Sequence, residues 1–215
     1  QDTVAIRVPD HPLALEVLAG FDGAVAAPSA NRFGHVSPTD VEHVRADLGD
    51  RLIDGLDAVL DGGPCDVGVE STIVDCTGPN PAILRPGRFG PADVERLARA
   101  TVVEPPDSAA TPRVSGSLTS HYAPRARVVL GVSADAAPGD GLMALASTQT
   151  PEGVVRLMAP VDADDYARRL YWALREADAL DLPRVVAVPP NSKTGVAAAI
   201  RDRLTRASAG TAPGR

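Results

Sequence analysis

Four short stretches of this 215-residue chain gather side chains able to hold a polar ligand. APSANRFGHVSPT, residues 27–39, crowds Ser29, Asn31, Ser37 and Thr39 together. Such residues are also ordinary loop vocabulary, and Ser37-Pro38-Thr39-Asp40 reads as a helix start, with Ser37 as N-cap and Asp40 closing a capping box. Ser29 and Asn31 remain, placed just after a small apolar run, where α/β proteins commonly present ligand contacts. GVESTIVD, residues 68–75, sets Glu70, Ser71 and Thr72 consecutively in an extended segment. That is polar for a sheet interior, though an edge strand can carry it. In LRPGRFG, residues 84–90, Arg85 ends an apolar strand before a Pro-Gly turn. Its planar fork suits a phosphate or carboxylate, and a surface ion pair is the plainer alternative. SHYAP, residues 120–124, puts His121 and Tyr122 in an otherwise featureless linker, which suggests docking on another surface.

The elements that must position these residues are of α/β type. TVAIRV, residues 3–8, alternates Val4, Ile6 and Val8 against Thr3, Ala5 and Arg7, so Thr3 and Arg7 share one strand face. A short helix follows over 11–18, capped by Asp10 and ended by Gly20, then a strand over 24–27 and a helix over 38–48. Segments 57–61, 70–75 and 81–85 read as extended, and 91–98 as a helix. Residues 104–124 hold four prolines and little apolar periodicity, which is linker composition. Beyond it, strands are expected over 126–132, 142–146, 154–157 and 185–188. An amphipathic helix is expected over 162–180, and a last one over 196–207. The chain thus divides into 1–103, a linker 104–125, and a small α/β unit 126–215.

The totals exclude several classes. No apolar run is long enough to span a bilayer, so a soluble globular protein with no membrane partner is expected. The formal charge of −7 argues against a strong non-specific grip on nucleic acid, which needs clustered cations. Lys193 is the only lysine among 21 basic residues, a GC-rich coding bias that strips Arg-for-Lys choices of functional meaning. Cys65 and Cys76 lack metal-ligand or disulfide-framework spacing. There is no GxGxxG or Walker sequence, the SKT at 192–194 lacks its glycines, and no HExxH occurs. The residues alone define a soluble α/β protein with an anion-friendly polar cleft.

In order, TVAIRVP, APSAN with SPT, GVESTIVD, ILRPG, the linker's HYAP and the tail segments YARRLYWALREADAL and AAIRDRLTRA resemble the long, two-domain form of the YrdC-like threonylcarbamoyl-adenylate synthase family. The fold this implies is a twisted open sheet of the YrdC-like type, incomplete at its N-terminus, followed by a linker and a small Rossmann-like α/β domain. The chain begins at Gln1, inside an apparent strand, and is read as a fragment lacking the family's N-terminal third, with little turnover expected of it alone.

The reaction implied joins L-threonine, bicarbonate and ATP into threonylcarbamoyl-AMP and pyrophosphate, in the cytoplasm, for modification of tRNA at adenosine 37. By resemblance, Arg7, Ser29 and Ser71 would bind threonine or its carbamate. Thr3, Asn31, Thr39, Arg85 and Tyr122 would bind ATP. No protein nucleophile is implied, and Mg²⁺ would accompany the triphosphate. Downstream tRNA threonylcarbamoyltransferase machinery and a weak RNA contact are the further partners. Two other readings are a non-catalytic RNA-binding module, which the charge opposes, and a hydrogenase-type carbamoyltransferase relative, which lacks the HYAP linker and this tail.

Overall fold

In the computed structural model, residues 3–105, 114–115, 123–192 and 195–210 are described. Tyr122 and His121, and most of the expected linker, lie outside them. Among the described residues two sheets carry the fold: an antiparallel pair, and a four-stranded parallel sheet.

The four strands expected beyond the linker form, with somewhat different bounds, and pair in parallel. Strands β3 (Arg127–Leu130), β4 (Gly141–Met143), β5 (Val155–Met158) and β6 (Arg184–Ala187) lie in the order β3-β6-β4-β5. Side chains alternate across it. Val128, Met143, Val185 and Ala187 face the main core, while Leu142 and Val186 face a smaller cluster on the other side. Helices α4 (Ala163–Ala179) and α5 (Val196–Ala209) cover the first face. The Asp162 carboxylate caps α4 by accepting from the Asp165 amide at 2.8 Å, and Asp164 and Asp165 add favourable charge at the positive end of the helix dipole. Tyr166, Leu170, Ala173, Leu174 and Ala177 recur at helical spacing and are all buried.

The preceding half is more open. Strands β1 (Ile73–Asp75) and β2 (Ala82–Arg85) pair antiparallel, with a register irregularity between Ile73 and Val74. Helices α1 (Pro12–Phe21), α2 (Val41–Leu48) and α3 (Pro91–Ala98) accompany them. The strands expected over 3–8, 24–27 and 57–61 are not formed, and of 70–75 only the last half pairs. Val4, Ile6 and Val8, the expected core face, are 82%, 83% and 86% exposed. Alternation makes a strand only where a neighbour completes the hydrogen-bond ladder, and no described strand lies beside these segments.

Two caps also differ. Helix α1 has Pro12 in its first turn and His11 as N-cap, and ends past Gly20 on Asp22 at φ 51°. Helix α2 starts after Asp40, whose Oδ1 accepts the His43 amide at 2.9 Å. Ser37 is not its cap, because the Ser37 hydroxyl is committed to Glu70 at 2.8 Å.

Candidate functional site

The site begins at the end of the short antiparallel sheet. Ile73 pairs with Arg85, so Ser71 and Thr72 run past the end of β2, beside the Arg85-Pro86-Gly87 turn. The two chains meet closely there. A Cβ on Gly87 would lie 2.3 Å from the Thr72 nitrogen and 2.7 Å from the Ser71 carbonyl carbon, so this turn requires glycine. Thr72 Oγ1 donates to the Phe89 carbonyl at 2.9 Å and accepts the Phe89 amide at 3.1 Å. Arg85 is 3% exposed. Its Nε and Nη2 donate to the Ser71 carbonyl at 3.1 and 2.9 Å, and Nη1 to the Ser115 carbonyl at 2.8 Å. The guanidinium therefore stitches the Ser71 main chain to the linker segment, while the Ser71 residue itself stays exposed.

The loop of residues 27–39 supplies a second side. Asn31 Nδ2 donates to the carbonyls of Arg32 and His35 at 2.9 and 3.1 Å. Its Oδ1 is buried and has no partner among the described residues, an acceptor that a ligand N–H or O–H could take. Thr39 is buried. Its amide donates to His43 Nδ1 at 3.2 Å, and its Oγ1 lies 3.2 Å from the same nitrogen. Nδ1 also stands 3.3 Å from Asp40 Oδ1, which would favour a protonated ring. The Thr39 amide needs an acceptor there, however, and burial pushes the His43 pKa down against the pull of Asp40, with Arg175 adding to the depression. A neutral ring fits both facts. Ser29 is exposed.

Joining the two sides is a polar hub centred on Glu70, whose partners Tyr171 and Arg203 sequence reasoning missed. Glu70 accepts from Ser37 Oγ at 2.8 Å, from Tyr171 Oη at 2.8 and 3.0 Å, and from Arg203 Nε at 2.8 Å. Burial alone would raise its pKa, but the Arg203 charge and the hydrogen bonds from Arg203, Ser37 and Tyr171 win, holding the carboxyl below its ordinary value. Arg175 reinforces the junction, donating to Asp47 Oδ2 at 2.7 Å and to the Val36 carbonyl at 2.5 Å. Val36 and Val69 pack into the core of the C-terminal sheet. One clue was present: Arg203 sits three residues after Ile200 and four before Ala207, on the apolar stripe of its helix. A charge at such a position needs a buried partner.

Of the eight expected site residues, Ser71 and Arg85 are in direct contact. Thr39 lies two residues after Ser37, which is bonded to Glu70, while its own described bonds run to His43 and the Cys65 amide; Asn31 lies earlier on that loop. Thr3 and Arg7 are exposed, and no described hydrogen bond ties Arg7 to Ser29, Ser71 or Arg85. Tyr122 lies outside the described residues. Two surface concavities, one at Glu95, Arg99, Ala100 and Thr101 and one at Asp66, Val67, Arg88, Asp164 and Arg168, include none of the eight. Among the described residues, no group of three or more His, Cys, Asp and Glu could hold a metal ion, and no helix is long and apolar enough to cross a membrane.

Fold and site together define a two-part α/β protein whose polar cluster lies where the parts meet. Residues 1–87 match the Sua5–YciO–YrdC family, described as telomere recombination, and residues 91–209 match the family described as threonylcarbamoyl-AMP synthase, C-terminal domain. The chain belongs to this two-domain YrdC-like family. Threonylcarbamoyl-AMP synthase of Bacillus subtilis is 33% identical over 97% of this chain, and that of Pyrococcus abyssi 31% over 96%. The chain spans 64% of the length of each of these relatives. The crystal structure of P. abyssi Sua5 complexed with L-threonine superimposes with a TM-score of 0.79 at 29% identity, covering 98% of this chain and 65% of that one.

Proposed function

We propose that the protein carrying this chain is an L-threonylcarbamoyladenylate synthase acting in the cytoplasm. The observation that carries this reading is the joining of GVEST, RPG and the 27–39 loop into one polar cluster in a chain of that family. The amine of threonine and bicarbonate condense to a carbamate with loss of water. A carbamate oxygen then attacks the α-phosphorus of ATP as the bond to the β-phosphate oxygen breaks, so threonylcarbamoyl-AMP forms and pyrophosphate leaves. Such a transfer asks for positioning and charge stabilisation rather than a protein nucleophile.

In this reading Arg7, Ser29 and Ser71 serve the threonine side. Thr3, Asn31, Thr39, Arg85 and Tyr122 serve the nucleotide, Arg85 contributing positive charge toward the phosphates from its buried position. Mg²⁺ would accompany the triphosphate and offset the negative charge that grows in the transfer, without calling on a dedicated cage of this chain's residues. The product passes to the machinery that modifies tRNA at adenosine 37, and the chain divides at the 104–125 linker. Pyrophosphate release by the full-length protein tests the reading, with threonine and bicarbonate omitted in turn. Release that requires both is expected, and release indifferent to either would refute it.

A further inference from the structure

Arg203 is 0% exposed on α5, within the C-terminal unit, yet two of its donors leave that unit. Nε reaches Glu70 Oε2 at 2.8 Å, and Nη2 reaches the Pro86 carbonyl at 3.1 Å. Nη1 is held by Asp202 Oδ2 at 2.5 Å. Glu70 is the residue before Ser71, and Pro86 the residue after Arg85. One rigid fork thus touches the chain immediately beside both residues assigned to opposite ends of the substrate. We infer that Arg203 is a positioning residue for the synthase reaction, locking the Ser71 and Arg85 segments into one geometry from the C-terminal unit; this rests on the function proposed above.

A staple between two halves of a protein does not require this arrangement. A buried ion pair is often no more stabilising than well-packed apolar residues of the same volume. Its distinctive property is direction: the planar guanidinium fixes the angle and spacing of whatever it binds. Here it binds the Glu70 carboxylate and the Pro86 carbonyl, on two segments that Gly87 already brings close together. Glu70 carries the constraint onward, since Tyr171 and Ser37 fix its carboxylate and Ser37 leads into the Thr39 loop. The hydrogen bonds described for Arg203 run to Glu70, Pro86 and Asp202, so it acts on the expected substrate groups through these neighbours.

The test compares three variants of the full-length protein. Arg203→Met keeps the apolar volume and loses the fork, whereas Arg203→Lys keeps the charge. Arg184→Met breaks a more exposed ion pair, with Asp140 at the end of the C-terminal sheet, and serves as a control remote from the Ser71 and Arg85 segments. Arg203→Met should lower kcat/KM for threonine and ATP by up to ~10²-fold, the scale of a misplaced reacting group, with Arg203→Lys between it and wild type. Amide hydrogen exchange over residues 70–75 and 84–88 should rise in Arg203→Met and stay unchanged in Arg184→Met. If Arg203→Met fails to fold, Glu70→Gln, which keeps the shape and loses the charge, should give the same exchange signature. Unchanged exchange in these segments, or an equal effect from Arg184→Met, would overturn the inference. A wild type whose pyrophosphate release ignores threonine would instead sink the synthase reading, and the exchange comparison would still decide the positioning.

Discussion

At the scale of the residue, Arg85 and Arg7 are expected to behave differently although both were assigned to substrate anions. Arg85 is buried and donates to two main-chain carbonyls, so Arg85→Ala should cost about 1–3 kcal/mol of stability through unsatisfied partners. It should also raise the ATP requirement. Arg7 is exposed, and Arg7→Ala should leave the melting temperature unchanged while raising KM for threonine. Melting curves and KM values for both variants check the contrast. Glu70 makes a pH prediction. Its folded pKa is lowered, so between the two values the unfolded chain binds more protons than the folded one. The stabilisation is therefore complete above its unfolded pKa of roughly 4.3 and lost as pH falls through the folded value. His43, also depressed, adds loss of the same sign starting lower than about 6.5. Thermal unfolding from pH 8 to 3 should fall in these two windows, and Glu70→Gln should flatten the lower one.

At the scale of the element, Gly68 is the most constrained position between the halves. It has φ +76°, and a Cβ there would stand 2.3 Å from the Arg168 Cα and 2.4 Å from the Ala167 carbonyl oxygen. Gly68→Ala should push α4 away from the GVEST segment and weaken the Tyr171–Glu70 contact, with a larger drop in melting temperature than Asp162→Ala. The latter removes only a helix cap, worth about 0.5–2 kcal/mol. Helix α4 and the strands β3 to β6 were legible because each repeats one period within a buried setting. The strand over 3–8 shows the opposite case, since its alternation is real but a strand is a property of two chains. Ser37 was misread as a cap because its partner, Glu70, is remote in sequence. Asp40, adjacent to the helix, took that role.

At the scale of the whole molecule, the family motifs were readable as words, but the reason they belong together was not. Ser71, Arg85 and the 37–39 loop are bound to one another by main-chain carbonyls and by Glu70. The residues that grip Glu70, Tyr171 and Arg203, come from helices of the C-terminal unit. Their types are unremarkable in sequence, and only folding reveals their partners. On the proposed reading, this organisation gives the C-terminal unit a part in shaping the site. With a net charge of −7, any RNA contact should be weak, with few phosphate contacts and a correspondingly shallow salt dependence.

Synthase activity is followed most directly through the carbon of labelled bicarbonate. Incubated with ATP and threonine, the full-length protein should place that carbon in a product containing both AMP and threonine, with one pyrophosphate released for each. Pyrophosphate release without label in an adenylate, or label incorporated without threonine, would contradict the account.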